Sequence, residues 1–304
     1  MNIGDLVEYK KFEYAAEIKK GWSGENKYYI RLQDGMELLL RISPLAQYNQ
    51  KVKEFNYMKE LYRQGQPISK PLELKVIEEK VFSLFKWVVG NDSEEVLPLL
   101  SEEEQYRLGV ESGEILKQIH QLEAPADKEK WERSYQRKIN RNIDNYLACS
   151  LKYEKGELFL KYVKENQSSI AMRPLVFQHG DFHTGNMILS SDKKLSIIDF
   201  NRWSYGDPWE EFNRIDFTAA VSPLFATGQV NGYFSARPSD DFFKLLLLYI
   251  STNTLNALPW ALNYSNQEVQ TMKKKARDVL AWYDDLNRIV PSWYDEKAMK
   301  KYRI

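Results

Sequence analysis

The stretch Leu175–Phe200, LVFQHGDFHTGNMILSSDKKLSIIDF, decides how the rest of the chain is read. Its ends are strand-like, while its middle packs His179, Asp181, His183 and Asn186 into eight residues, an odd composition for an ordinary turn. Asn186 follows Asp181 by five positions, and the runs MIL and LSII flank Ser191-Asp192-Lys193. A short hairpin there would bring Asp199 back beside the loop that holds Asp181, so that two carboxylates and an amide converge. Any one of these residues alone reads as a turn stabiliser, as Asp and Asn often are. The ordered set reads as a site.

Phosphoryl transfer needs such a set: one carboxylate to take the proton of an attacking hydroxyl, and oxygen ligands to hold Mg²⁺ against nucleotide phosphates. The protein-kinase pattern of His-Arg-Asp with an Asn five residues after the Asp has the same spacing, and its metal-binding Asp also lies beyond a following strand. Here His179-Gly180-Asp181 takes the place of the loop and Asp199 that of the later Asp.

Upstream, the sequence to about Gly90 is strand-rich. YYIRLQDGMELLLRIS has β-compatible runs on both sides of Gln33-Asp34-Gly35, a strong hairpin signal. After Pro44, apolar or aromatic residues at Val52, Phe55, Met58, Leu61 and Tyr62 have helical spacing and stop before Gly65 and Pro67. LELKVIEE and KVFSLFKWVVG, meeting at Glu78-Glu79-Lys80, predict two more strands. Gly90-Asn91-Asp92-Ser93 reads as a linker. From Ser101, followed by Glu104 at capping-box spacing, the pattern turns helical, with Leu108, Ile115, Leu116 and Ile119 on one face. Residues 127–170, dense in Lys, Glu and Asn, read as a solvated helical insertion. The tail from Asp240, with Leu245, Leu248, Leu255, Leu258, Trp260, Leu280 and Trp282, predicts helices packing on the larger lobe.

The 304 residues are a soft prior for two domains or lobes at about 150 residues each. We expect a β-rich lobe over 1–90 and a larger helical lobe over 91–304. The 43 basic and 43 acidic residues cancel, so no global positive field favours nucleic acid or anionic lipid. The longest apolar run, Leu245–Ile250, is far shorter than the roughly 20 residues of a membrane helix. One cysteine, Cys149, excludes an intrachain disulfide. The start lacks the apolar core of a secretory signal, so a cytoplasmic protein with no membrane and no nucleic-acid partner is expected, acting as a monomer.

HGDFHTGN (His179–Asn186), IIDF (Ile197–Phe200) and YGDPWEEF (Tyr205–Phe212) together resemble the signature of the aminoglycoside phosphotransferase and choline kinase family. The resemblance implies an α+β, protein-kinase-like bilobal fold and an ATP- or GTP-dependent kinase of a small-molecule hydroxyl. It further implies Asp181 as catalytic base, Asn186 and Asp199 as Mg²⁺ ligands, and His179 and His183 as supports of the loop. In the small lobe it places Arg41 where the family usually has a lysine, with Glu54 as its acidic partner. The nucleotide loop falls at Gly21, Ser23 and Gly24, and Trp87 lies on the connecting strand near the purine. Arginine keeps the charge but is planar and larger, so nucleotide geometry is expected to differ. Asp207-Pro208-Trp209-Glu210 is explained without chemistry, as a helix cap. An aminoglycoside-like antibiotic is the leading acceptor, with antibiotic resistance as its consequence; choline, a macrolide or an amino sugar stay open. For a cationic acceptor, Glu211, Asp216, Trp260, Asp284 and Asp285 are the candidates. An inactive nucleotide-binding regulator is the alternative of another class.

Overall fold

The computed structural model describes residues 12–19 and 24–302, which form two units. The first comprises the described residues up to Asn91 together with Met187–Asn201. Its strands β1 (Phe12–Ile18), β2 (Asn26–Leu32), β3 (Glu37–Pro44), β4 (Pro71–Ile77) and β5 (Lys80–Lys86) make one antiparallel sheet in the order β1-β2-β3-β5-β4. The expected hairpin joins β2 to β3: Gly35 takes the left-handed φ of +82°, and the Asp34 carboxylate accepts the Met36 amide at 3.0 Å. Because side chains alternate along a strand, Leu38 and Leu40 join Ile30, Phe82 and Leu84 in the core, while Arg41 and Ser43, on the opposite face, are buried as well. The predicted helix is α1 (Tyr48–Arg63), burying Phe55, Met58 and Leu61 and stopping before Gly65 at φ +82°.

The sequence around β6 (Asn91–Asp92) leads into the second unit, Asp92–Asn186 with the described residues from Arg202 on. It holds α2 (Ser93–Val96), α3 (Glu102–Ile119), α4 (Trp131–Ala148), α5 (Gly156–Asn166) and β7 (Val176–Gln178). Strands β8 (Met187–Leu189) and β9 (Leu195–Ile197) form the short antiparallel hairpin around Lys193 at φ +60°, as expected. That hairpin belongs with the first unit because the Ile197 amide donates to the Pro67 carbonyl at 2.8 Å and Ile68 bridges to Ile197. The second unit resumes with β10 (Ser204–Gly206), which pairs antiparallel with β7, then α6 (Ile215–Val221), α7 (Pro223–Phe234), α8 (Asp240–Ala261), α9 (Asn266–Trp282) and α10 (Ala298–Tyr302). The fold is the expected α+β, kinase-like pairing of a β-rich lobe and a larger helical one.

Two local expectations change. Residues 127–170 are not a solvated insertion: α4 and α5 bury Trp131, Tyr135, Ile139, Tyr146, Phe159 and Val163 against the body of the unit, and the Asn142 amide donates to the Thr252 carbonyl of α8 at 3.0 Å. Polar residues fill the outer faces while an aromatic stripe at helical spacing does the packing. Nor does Asp207 start an α-helix. Its carboxylate is fully buried, accepts both Arg173 guanidinium donors at 2.8 Å and the Trp209 amide at 3.1 Å, and precedes a 3₁₀ turn over Glu210–Arg214. A buried carboxylate with a bidentate arginine is satisfied where it stands.

Candidate active site

The first unit carries a buried charge cluster on β3. The Arg41 side chain is 6% exposed; its Nε donates to Glu25 Oε2 at 2.7 Å and its Nη1 to Asp199 Oδ1 at 3.1 Å, with Glu54 Oε1 at 3.8 Å. Lys51, one turn before Glu54 on α1, reaches Glu54 Oε2 at 2.7 Å and Glu25 Oε1 at 2.5 Å, and the Ser43 hydroxyl donates to Glu25 at 2.8 Å. Three carboxylates thus surround two cations. Burial works against the Arg41 charge, but Asp199, Glu54 and Glu25 raise its pKa above the usual arginine value. Burial likewise works against ionised Glu25, and Arg41 and Lys51 outweigh it, leaving that carboxyl below its ordinary value. Sequence reasoning found Arg41 and Glu54 but missed Glu25 and Lys51. The only signals for these were their places beside Gly24 and three residues before Glu54. Gly24 has φ +66°, with nothing within 4 Å of a would-be Cβ; Gly21 and Ser23 lie outside the described residues. Trp87 sets its ring edge-on to Tyr29, 5.0 Å between centroids.

In the second unit the loop after β7 is held from several sides. Gly180 takes φ +85°, and a Cβ there would lie 1.9 Å from the Arg202 carbonyl, so no other residue fits. Its amide donates to the buried Glu211 carboxylate at 2.9 Å. Glu211 is thereby part of the loop's framework, with His120 Nε2 3.7 Å away. The fully buried His179 accepts the Asp181 amide on Nδ1 at 3.2 Å, and His183 accepts the Gly185 amide at 3.1 Å. Ser93 of α2 donates to the Thr184 carbonyl at 2.8 Å. Asn186 donates its side-chain amide to the Asp181 carbonyl at 2.8 Å, which leaves its Oδ1 as a hard oxygen donor for another ligand.

The Asp181 carboxylate, 16% exposed, has Arg214 Nε at 2.7 Å, His183 Nε2 at 3.6 Å and Arg202 Nε at 3.7 Å. Its Oδ1 is buried and, among the described residues, receives no aligned hydrogen bond. Burial raises its pKa, but Arg214, His183 and Arg202 more than offset this, so it stays ionised at neutral pH. Burial pushes His183 down to about 4 against the pull of Asp181, which keeps the ring neutral. Beyond Arg214, Asp216 is buried and paired with Lys275 Nζ at 2.8 Å. Arg202, Arg214 and Lys275 carry no motif, and sequence reasoning missed all three. Of the remaining candidates, Trp260 packs on Tyr264 at 4.5 Å, Asp285 pairs with Lys155 at 2.6 Å, and Asp284 is exposed at φ +50°.

The donor chemistry suits Mg²⁺. Asp199 keeps 27% exposure in a cluster otherwise closed to solvent, and Asn186 presents an amide oxygen. Among the described residues no group of three or more His, Cys, Asp or Glu is arranged to hold a metal by itself. Mg²⁺ bound to a nucleotide usually takes only one or two protein carboxylates and fills its shell with phosphate and water, so each of these oxygen donors is by itself of a suitable kind. Among the described residues, no helix is long and apolar enough to cross a membrane.

The model of a phosphotransferase enzyme family, APH, matches residues 15–243. Many solved structures share the fold. An amicoumacin kinase, hAmiN, in complex with AMP-PNP, Ca²⁺ and Ami is 12% identical with a TM-score of 0.66, over 98% of this chain and 97% of that one. The GDP complex of an aminoglycoside 2'-phosphotransferase-IIIa F108L mutant is 14% identical at 0.69, over 94% and 97%. The gentamicin complex of APH(2")-IIa is 15% identical at 0.66, over 92% and 96%. No curated protein matches the chain.

Proposed function

Because the chain belongs to the phosphotransferase enzyme family, we propose that it is a kinase that moves the γ-phosphoryl group of ATP or GTP onto a hydroxyl of a small molecule, with Asp181 as the catalytic base. The observation that carries this reading is the Asp181 carboxylate: ionised, held by a braced loop, and 16% exposed although Arg214 Nε sits 2.7 Å from Oδ1. A substrate hydroxyl can donate to a carboxylate so held. As the acceptor oxygen forms its bond to the γ-phosphorus, its proton passes to Asp181, and the bond from phosphorus to the β–γ bridging oxygen breaks, leaving the electron pair on the nucleoside diphosphate.

The first unit is assigned the nucleotide, with Arg41 as its phosphate-facing cation, Glu25, Glu54 and Lys51 fixing that cation, and Trp87 and Gly24, with Gly21 and Ser23 from outside the described residues, as the further nucleotide-binding candidates. The second unit is assigned the acceptor. Asn186 and Asp199 would hold Mg²⁺, which when bound offsets charge on the β- and γ-phosphate oxygens. His179 and His183 brace the loop through the Asp181 and Gly185 amides. An aminoglycoside, the acceptor class that several structural neighbours carry in their names, would require exposed acids. Of the acidic candidates, Glu211 and Asp216 are buried and engaged, while Asp284 is exposed and Asp285 sits at the surface with Lys155; the acceptor is proposed as a small hydroxylated molecule.

The test is nucleoside diphosphate release with Mg²⁺ and ATP or GTP across hydroxylated acceptors. Asp181→Asn is expected to keep nucleotide affinity by calorimetry and to lose about 10²- to 10⁴-fold in turnover, the range of a general base. Parent-like turnover in that variant would refute the role of Asp181.

A further inference from the structure

We infer that the acceptor carries an oxyanion group, a carboxylate or a phosphate, received by the guanidinium groups of Arg202 and Arg214 beside Asp181; this rests on the phosphotransferase reading above. Two guanidinium groups, Arg202 and Arg214, stand directly against the single carboxylate of Asp181; the neighbouring Lys275 is matched by Asp216, and Glu211 is held by the Gly180 amide. Both arginines approach Asp181 through Nε, at 2.7 and 3.7 Å. The outer edge of each guanidinium, between its two Nη atoms, is left out of that contact, and among the described residues no side-chain hydrogen bond from it is found. That edge of the guanidinium plane is the one that binds a carboxylate or phosphate through two parallel hydrogen bonds. The side chains keep 38% and 22% exposure, so a dissolved ligand can reach them.

A polycationic acceptor meets the opposite conditions. Of the acids available to such an acceptor, Glu211 is spent on the Gly180 amide and Asp216 on Lys275, both buried, while Asp285 pairs at the surface with Lys155 and Asp284 is exposed. Its ammonium groups would face arginines at the point where its hydroxyl must approach Asp181, and like charges brought together in a site are costly. An anion held by these guanidinium groups places a nearby hydroxyl next to the base.

The experiment uses the full chain with Mg²⁺ and ATP. A small-molecule cell extract is divided by ion exchange into anion-retained, cation-retained and neutral fractions, with kanamycin as the polycation and malonate as a hydroxyl-free dianion. ADP release is expected with the anion-retained fraction, and malonate should inhibit it competitively against that fraction. Arg202→Gln, at the more exposed arginine, should raise the acceptor KM by about tenfold or more and leave the nucleotide KM nearly unchanged. Arg202→Lys, which keeps the charge, should recover part of the loss, and Arg214→Gln should act in the same direction. ADP release only with kanamycin, the cation-retained or the neutral fraction would overturn the inference and leave the kinase reading standing. A KM effect of Arg202→Gln on the nucleotide alone would overturn it too, by giving the arginine to the phosphoryl donor. No ADP release with any fraction would bring down the kinase reading, and the inference with it.

Discussion

Arg41 shows how far one side chain depends on its neighbours. The sequence pairs it with Glu54, yet its shortest contacts are to Glu25 and Asp199, and Glu54 spends its carboxylate on Lys51. Removing the guanidinium would leave Glu25, Glu54 and Asp199 facing Lys51 alone. Taking one partner from a buried ion network costs about 3–5 kcal/mol, so Arg41→Ala is expected to lower the unfolding free energy measured in urea by an amount in that range, while the exposed Arg63→Ala should leave it nearly unchanged. Lys275 offers a test in pH. Burial lowers its pKa to about 8 from 10.5, with Asp216 only partly restoring the charge. Below about 8 both folded and unfolded chains hold the proton, and the burial penalty is fully present. Between about 8 and 10.5 the unfolded chain holds a proton the folded chain has released, so this group makes stability rise with pH. Lys275→Met should remove that contribution from the dependence of Tm on pH between 8 and 10, measured against the parent.

Among the elements, α3 and α7 meet at a spacing that only glycine allows. A Cβ on Gly113 would lie 2.1 Å from the Gln229 carbonyl oxygen, and one on Gly232 the same distance from that of Val110. Alanine usually stabilises a helix relative to glycine by about 0.5–1 kcal/mol. Here Gly232→Ala should instead lower Tm, because backbone atoms of the facing helix must move. The start of α3 was legible from residue types: Ser101 accepts the Glu104 amide and Glu104 reaches back to the Ser101 amide, the capping box expected from their spacing. Ser101→Ala should cost about 1 kcal/mol by chemical denaturation. Local rules of this kind also found the Asp34-Gly35 hairpin and the end of α1. They failed over residues 127–170, where the abundance of Lys, Glu and Asn hid a stripe of Trp131, Tyr135, Ile139 and Tyr146 that composition does not reveal.

For the whole molecule, nucleotide binding is the property that stability can report. A ligand that binds only the folded chain adds about 2.7 kcal/mol at a hundred times its Kd. ATP with Mg²⁺ should therefore raise Tm more than ATP with a chelator, and Asp199→Asn should abolish the difference between the two. An equal shift with and without Mg²⁺ in the parent would remove the metal from Asp199.

The order of HGDFHTGN and IIDF, the small-lobe hairpin and the helical tail were set out by the sequence alone, because turn geometry, capping and apolar periodicity act between residues close in the chain. That sufficed for the order of the elements and, with the resemblance carried by the motif, for the fold. Contacts between residues far apart decided the rest: Glu25 and Lys51 around Arg41, Glu211 under Gly180, and Arg202, Arg214 and Lys275 near Asp181. Charged residues are common along this chain, and nothing in local pattern distinguishes a solvated lysine from one buried against a carboxylate. Only tertiary packing, by removing water from chosen charges and bringing their partners within 4 Å, made that distinction.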